Sequence, residues 1–260
     1  MGDVAVNNTI LELRGICKKF SINGVDNTVI SDIDLSIKEN EFVSILGYTG
    51  CGKSTLLRMI CGFESPDSGE IIFRGKKHMA PTKDIVMVFQ DLSQLFPWKT
   101  ALNNIVYVLM KTQGLNRVQC RNRAMNLLEA VGLKGYENYY PHQMSGGMRQ
   151  RCAVARAIAM SPKVLLMDEP FSALDELTRR KLQILCCEIH EKYDVTIVFV
   201  THSIEEAITL SDRIVILGNN EGSITVDLDN VYKTNHIEEN RIVMRNEIIK
   251  YLNEGVRNND

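Results

Sequence analysis

The sequence predicts an α/β fold in which a mainly parallel sheet carries helices on its faces. Several short runs are continuously apolar, as strands buried on both faces of a sheet are: FVSIL, IVMVF, VLLMD, TIVFV and RIVIL. Stretches with helical spacing separate successive runs, beginning with the apolar residues of Leu56–Ile60. Alternation of strand and helix is typical of parallel sheets.

The first part of the chain has a different pattern. The segments ILELRGI and ISDIDLSI alternate apolar and polar residues, which predicts half-buried strands. A turn is predicted at Ser65–Gly69, and EIIF follows it as another strand.

Helical patterns dominate from about Leu92 to Ser161, including Val118–Val131 and Gly146–Met160. We interpret this segment, residues 92–161, as a helical insertion within one folded domain of residues 9–235. The remaining residues, 236–260, form a tail in which Ile237–Leu252 is predicted to be one amphipathic helix.

Composition limits the function classes. The 260 residues are 45% hydrophobic, enough for one large core or a core with a smaller lobe. A net charge of -2 argues against a nucleic-acid partner. The seven cysteines include no CxxC pair, so we expect reduced thiols of a cytosolic protein. We also expect neither a signal peptide nor a membrane span, because no stretch approaches about 18 apolar residues.

The polar gap after FVSIL carries the strongest motif. GYTGCGKS fits G-x-x-x-x-G-K-[ST] between a buried strand and a helix. In this motif glycines turn backbone N–H groups inward, and the helix N-terminus adds partial positive charge. Lys53 would reach the β- and γ-phosphates, Ser54 would bind Mg²⁺ and Thr55 would hold the α-phosphate. The predicted phosphate loop comprises Gly47, Tyr48, Thr49, Gly50, Cys51, Gly52, Lys53, Ser54 and Thr55. The alternative is an ordinary glycine-rich turn.

Two acidic residues end a later strand. Asp168 is the last residue of VLLMD and Glu169 follows it. Because ligands bind at the carboxyl ends of parallel strands, we expect Asp168 to support Mg²⁺ through water and Glu169 to polarise an attacking water. The alternative is a pair of solvated acids.

A second anion site is predicted within MSGGMRQR. Ser145 is a candidate N-cap, and Gly146 and Gly147 would expose backbone N–H groups at the start of a helix. The triplet SGG by itself is equally consistent with an ordinary capped helix.

Taken in order, GYTGCGKST, VFQ, MSGGMRQR, VLLMDEP, SALD and THS resemble the ATP-binding subunit of ABC transporters, over about Leu11 to Leu217. LFPW after VFQ, with NNI following, resembles the nitrate, sulfonate and taurine importer branch. The resemblance implies an ABC ATPase cassette: a P-loop NTPase with a mainly parallel sheet, an N-terminal antiparallel β subdomain and a helical insertion.

The resemblance also implies roles for single residues. Phe20 would stack on adenine, Gln90 would reach Mg²⁺ and the lytic water, and His202 would contact the γ-phosphate. Asp175 would touch the partner subunit. The signature residues would bind the nucleotide held by the other copy of a head-to-tail homodimer; they are Ser145, Gly146, Gly147 and Gln150.

The function so implied is ATP hydrolysis, with Mg²⁺, that drives import of a small molecule such as a nitrate-, sulfonate- or taurine-type anion. Separate integral-membrane permeases and a substrate-binding protein would be the partners, and the chain would sit peripherally at the cytoplasmic face of the membrane. The alternatives are a soluble ABC-type ATPase acting on DNA or ribosomes, and an unrelated phosphate-loop kinase.

Two further expectations concern aromatic and cysteine residues. Phe96 and Trp98 would form a groove for a permease helix, unless Trp98 packs in the core of the insertion. Cys51 lies in the phosphate loop, so bulky thiol reagents should inactivate the enzyme and ATP should protect it. The other cysteines among apolar residues are interpreted as core residues: Cys17, Cys61, Cys120 and Cys152.

Overall fold

A computed structural model describes residues 8–22, 24–172, 174–218, 222–235 and 237–257. The chain divides into two compact units. The first unit contains the described residues up to 81 and from 196 onward, and the second contains those of 82–195. No helix in these ranges is both long and apolar enough to span a membrane.

Strands and helices alternate along most of the described chain. In chain order they are β1 (Thr9–Ile22), β2 (Val25–Lys38), β3 (Phe42–Gly47), α1 (Lys53–Cys61), β4 (Ser68–Phe73), β5 (Lys76–Lys77), β6 (Ile85–Val88), α2 (Ala101–Thr112), α3 (Arg117–Ala130), α4 (Gly146–Ala159), β7 (Val164–Asp168), α5 (Glu176–Tyr193), β8 (Thr196–Thr201), α6 (Ile204–Leu210), β9 (Arg213–Leu217), β10 (Ile224–Asp229), α7 (Val231–Asn235) and α8 (Glu238–Arg257).

An antiparallel sheet in the first unit has the strand order β2-β1-β4-β5. Leu13 lies opposite Leu35 on one side and Ile71 on the other, and all three are buried. Burial of every second residue on β1 and β2 explains the alternating pattern, because successive side chains of a strand point to opposite faces. The prediction of half-buried strands here is confirmed, whereas the short strand β5 was not predicted.

The first unit also contains the parallel strands that lead to the site. Strand β3 lies between β8 and β9 and is parallel to both, and β10 pairs antiparallel with β9. Every residue of β3 and β8 is buried, which is why both segments are continuously apolar. Strand β10 alternates half-buried and exposed residues at the edge, and it was not predicted from the sequence.

The predicted tail helix is confirmed and is longer than expected, since α8 extends to Arg257. Met244 and Ile248 on α8 pack into an apolar cluster with Leu46 of β3 and Ile208 of α6. The tail is therefore part of the core of the first unit.

In its described residues, the second unit combines a parallel strand pair with four α-helices. Strands β6 and β7 run parallel, with Val86 opposite Leu165. Asn104 of α2 is fully buried, and its side-chain amide donates to the backbone oxygens of Phe96, Lys99 and Thr100. These bonds tie the loop before α2 to the helix. The unit thus contains the helical segment together with its flanking strands, while the boundaries 9–235 for one domain stay a prediction.

Candidate nucleotide-binding site

The phosphate loop joins the end of β3 to the start of α1. Gly52 is the N-cap of α1 and has a φ of 97°, in the left-handed region that favours glycine. No side chain caps α1, although its backbone starts regularly with Leu56 N–H donating to the Gly52 oxygen at 2.9 Å. The N-cap residue therefore offers no side-chain acceptor to the first turn of the helix, which suits an anionic ligand.

Steric space explains which positions of the motif must be glycine. A Cβ on Gly47 would lie 2.7 Å from Cys51 Sγ and 2.9 Å from the Leu217 oxygen. A Cβ on Gly52 would lie 2.6 Å from both the Val29 oxygen and Ile30 Cδ1. At Gly50, which the motif leaves open, nothing lies within 4 Å of such a Cβ.

Lys53 brings its charge into the loop. The side chain is only 5% exposed, and Nζ donates to the backbone oxygens of Gly47 and Tyr48, each at 2.7 Å. The loop thus holds the ammonium group at its centre, where a phosphate oxygen would compete with these carbonyls. Ser54 and Thr55 lie in the first turn of α1 and are half-buried.

Side chains in the middle of the loop differ in exposure. Tyr48, Thr49 and Gly50 are exposed, whereas Cys51 is 6% exposed and its N–H donates to the Tyr48 oxygen at 3.3 Å. Burial raises the pKa of the Cys51 thiol. The thiol therefore lies on the inner side of the loop. Its reaction with bulky reagents should be slower than the sequence alone suggested.

Phe20 lies near the end of β1 with an exposed ring. Lys18 Nζ lies 5.3 Å from the centre of that ring and forms ion pairs with Glu64 at 2.8 Å and Asp67 at 3.1 Å. The hydrogen bond to Glu64 raises the pKa of Lys18. The ring is thus accessible to a flat ligand, and its predicted stacking on adenine stays a prediction.

His202 follows the strand next to the phosphate loop. Leu46 of β3 lies opposite Thr201 of β8 in a parallel register, so the loop and His202 leave the sheet at the same edge. Thr201 Oγ1 donates to Glu206 at 2.6 Å and accepts from Ser203 N–H at 3.0 Å. These bonds fix the turn that carries the exposed imidazole of His202.

In the second unit, the structure brings Gln90 and Glu169 together. Both follow parallel neighbours, with Val88 of β6 opposite Met167 of β7. Gln90 Nε2 donates to Glu169 Oε2 at 3.4 Å. Glu169 has a φ of 43°, unusual for a residue with a side chain, whereas Asp168 before it is buried at the strand end.

The residues of the predicted second anion site lie at two neighbouring helix starts. Ser145 caps α4, with its Oγ accepting from Met148 N–H at 3.3 Å, so the N-cap prediction is confirmed. A Cβ on Gly147 would contact Leu174 at 3.2 Å, next to the start of α5. Asp175 caps α5 by accepting from Thr178 N–H at 3.0 Å, and this hydrogen bond lowers the pKa of Asp175.

Gln150 is more deeply buried than the other signature residues. Its side chain is buried, and within the described ranges neither its oxygen nor its nitrogen has a hydrogen-bond partner. Gly146, by contrast, is in the first turn of α4. A contact between Gln150 and nucleotide remains a prediction.

An aromatic cluster is formed by residues in the loop before α2 and by one residue of α2 itself. The ring of Phe96 lies 5.6 Å from that of Trp98 and 5.4 Å from that of Tyr107, and the Arg156 guanidinium is 5.3 Å from its centre. Trp98 is 70% exposed. The alternative that Trp98 packs in the core of the insertion is therefore wrong.

The cysteines, all of which lie in the described part of the chain, form no disulfide. All seven are free thiols; Cys61, Cys120 and Cys152 are buried as predicted, but Cys17 is only half-buried. Over the ranges that the structure covers, no three His, Cys, Asp or Glu side chains are grouped to hold a metal ion.

The sequence matches the ABC transporter family over residues 30–172. It is 42% identical to an uncharacterized ABC transporter ATP-binding protein of Methanocaldococcus jannaschii, over 82% of this chain and 79% of that one. It is 38% identical to the aliphatic sulfonates import ATP-binding protein SsuB of Bacillus cereus, over 94% and 96%. It is 40% identical to the nitrate import ATP-binding protein NrtC of Synechococcus elongatus, over 88% of this chain but only 36% of that longer protein.

Solved structures agree with the sequence relatives. The ATP-binding cassette MJ0796, in a dimeric post-hydrolysis state bound to ADP and Pi, superimposes with a TM-score of 0.78 at 33% identity. The match covers 85% of this chain and 99% of that one. The present chain, with an antiparallel sheet and strands that pair in parallel, has the fold class predicted from the sequence.

Proposed function

This chain belongs to the ABC transporter family of ATP-binding proteins, and from that premise we propose that two copies close on ATP to drive import of a small anion through separate permeases. ATP binding and hydrolysis follow from membership of the family. The proposal concerns the pairing of this chain, the residues that act, the permeases and the transported anion.

Two separate candidate anion sites carry the proposal. One is the phosphate loop, where α1 has no side-chain cap and Lys53 is held inside. The other is the pair of helix starts at Ser145 and Asp175. A single nucleotide has only one triphosphate, so two sites in one chain favour an arrangement in which each ATP is held between two copies.

Phosphate binding is assigned to the first site. The loop N–H groups and Lys53 would hold the β- and γ-phosphates, and the exposed Phe20 ring would stack on the base. Ser54, Gln90 and Asp168 offer hydroxyl, amide and carboxylate oxygens, a donor set that suits Mg²⁺. When bound, the ion would neutralise charge on the phosphates.

Hydrolysis needs a base and a group that stabilises the phosphate. We assign the base to Glu169, whose carboxylate would take a proton from the attacking water while Gln90, at 3.4 Å, orients both. Water adds to the γ-phosphorus and the bond to the ADP oxygen breaks, which gives ADP and inorganic phosphate. His202 would donate a hydrogen bond to the γ-phosphate as its charge shifts.

Nucleotide would connect the two copies. Ser145, Gly146 and Gly147 of one copy would donate to the γ-phosphate bound by the other, and Asp175 would contact the other copy directly. Loss of the γ-phosphate removes these bonds, so the pair would loosen after hydrolysis. The dimeric form of the structural neighbour supports this arrangement.

Coupling to transport is assigned to the aromatic cluster of Phe96, Trp98 and Tyr107. Trp98 is far more exposed than tryptophan usually is, and a permease helix would cover it. The cytoplasmic membrane face is then the expected location. Sulfonate and nitrate import by the relatives SsuB and NrtC supports a small anion as the transported substrate.

The test uses the variant Glu169→Gln, which keeps the size of the side chain. Loss of the base should slow hydrolysis by about 10²–10⁴-fold while ATP binding persists, so size-exclusion chromatography with ATP should detect a dimer. Ser145→Arg in the same background should bind ATP and remain monomeric. A monomer at saturating ATP for Glu169→Gln, also in the presence of its permeases, would refute the paired mechanism.

A further inference from the structure

A cavity of about 350 Å³ lies within the second unit, at the opposite ends of the elements that carry the predicted site residues. It is bounded by α3, the end of α4, the start of β7 and the end of α5. Its volume falls in the range of small-molecule sites.

The walls of the cavity are apolar and its charges have one sign. Leu127, Ile158 and Ile189 are buried side chains that line it. The charged lining residues are Arg123, Lys163 and Lys192, and no acidic residue is among those that line the cavity. Within the described residues, none of these three cations forms an ion pair with an acidic side chain.

Two of the cations contact neighbouring side chains. Arg123 Nη2 donates to Ser161 Oγ at 3.1 Å, and Lys192 Nζ lies 5.5 Å from the centre of the Tyr193 ring. Cations that line an apolar pocket match a ligand with an apolar body and one anionic group. We propose that this cavity binds a small organic anion, of the aryl carboxylate or aryl sulfonate class, and that occupancy changes the rate of ATP hydrolysis.

The coupling follows from which elements are shared. Helix α4 begins at the Ser145 cap and ends beside the cavity, β7 starts at the cavity and ends at Asp168, and α5 begins at the Asp175 cap and ends at the cavity. Helices and strands in packed cores move as units, so a ligand that spreads their near ends shifts the far ends. This second part rests on the proposed function, whereas binding of the anion does not.

Isothermal titration with 2-naphthalenesulfonate tests the binding, with the neutral 2-naphthalenesulfonamide as a probe of the same shape. Saturating non-hydrolysable ATP is present to block the phosphate loop. We expect saturable binding of the sulfonate only. Arg123→Gln with Lys192→Gln should weaken it by at least about tenfold, and Ala130→Trp, which fills the cavity from an exposed residue, should abolish it.

The matched control removes two exposed cations elsewhere in the second unit, Lys111→Gln with Arg121→Gln, and should leave the affinity unchanged. Equal binding of the neutral probe, or equal loss in the control, would overturn the proposed site. Hydrolysis is then measured on the wild-type chain with and without the sulfonate. Binding without any change in rate would refute the coupling, and a chain that binds the sulfonate but never hydrolyses ATP would instead refute the proposed function.

Discussion

Replacing Gly52 by alanine should destabilise the protein more than replacing Gly50, although both glycines lie in the phosphate loop with positive φ angles. The φ values are 97° at Gly52 and 89° at Gly50, so both alanine variants bear the cost of the left-handed region, about 1–2 kcal/mol. Only at Gly52 does the new Cβ meet other atoms, the Val29 oxygen and Ile30 Cδ1, each at 2.6 Å.

The steric overlap sets the size of the difference. Forcing a methyl group into packed surroundings costs about 1–3 kcal/mol of unfolding free energy. The Val29 oxygen belongs to the backbone, so it cannot move aside as easily as the end of a flexible side chain. Gly52→Ala should therefore lose about 2–5 kcal/mol of unfolding free energy, against about 1–2 kcal/mol for Gly50→Ala. Calorimetry should show a melting temperature lower by several degrees for the Gly52 variant, at about 2–4 °C per kcal/mol.

Binding of a fluorescent ATP analogue provides the second readout. The overlap at Gly52 displaces the N-cap of α1, whose N–H groups face the phosphates, so the affinity of this variant should also fall below that of Gly50→Ala. Equal melting temperatures for the two variants would refute the reasoning, because the glycine requirement at Gly52 would then be due to φ alone.

Three further predictions concern reactivity, docking and pH. The Cys51 thiol is buried and its pKa is raised, so it should react with iodoacetamide more slowly than the half-buried Cys17 and Cys187. Peptide mass spectrometry measures the three labelling rates, and rapid labelling of Cys51 in the folded chain would contradict this. Trp98→Ala should change the unfolding free energy in urea by no more than ~1 kcal/mol but prevent co-purification with the permeases, unlike the control Tyr136→Ala on another exposed aromatic residue. Asp67 accepts hydrogen bonds from the Lys19 N–H and the Lys18 ammonium, and these bonds lower the pKa of Asp67. The stability that Asp67 contributes is therefore present above the ordinary carboxyl pKa and is lost as pH falls through the lowered pKa. Asp67→Asn should therefore lower the melting temperature at about pH 7 and have less effect at about pH 3; an equal effect at both would count against that ion pair.

Most strands and helices could be predicted because their patterns are local. FVSIL and TIVFV are continuously apolar since β3 and β8 are buried on both faces. Strand β10 was missed although its residues, ITVDLD, alternate apolar and polar, which is the pattern of a half-buried strand. The two-residue strand β5 is too short to produce any pattern.

The candidate site was predictable where a motif fixes the backbone. Glycines in GYTGCGKS and the N-cap of SGG act over a few residues, and the structure places them as expected. Three features had no local signal: the bond between Gln90 and Glu169, the burial of Gln150, and the exposure of Trp98. Each depends on neighbours that are distant in the sequence.

The sequence by itself determined most of the strands and helices, the phosphate-loop motif and the family, because backbone sterics and hydrophobic spacing act over short stretches of the chain. Only the tertiary structure decided which motif glycines lack room for a Cβ and that Cys51 is buried. The same is true of the apolar cavity beside the end of α4, which three cations line. These properties depend on the packing of segments that are far apart along the chain, and no local pattern encodes the distances between them.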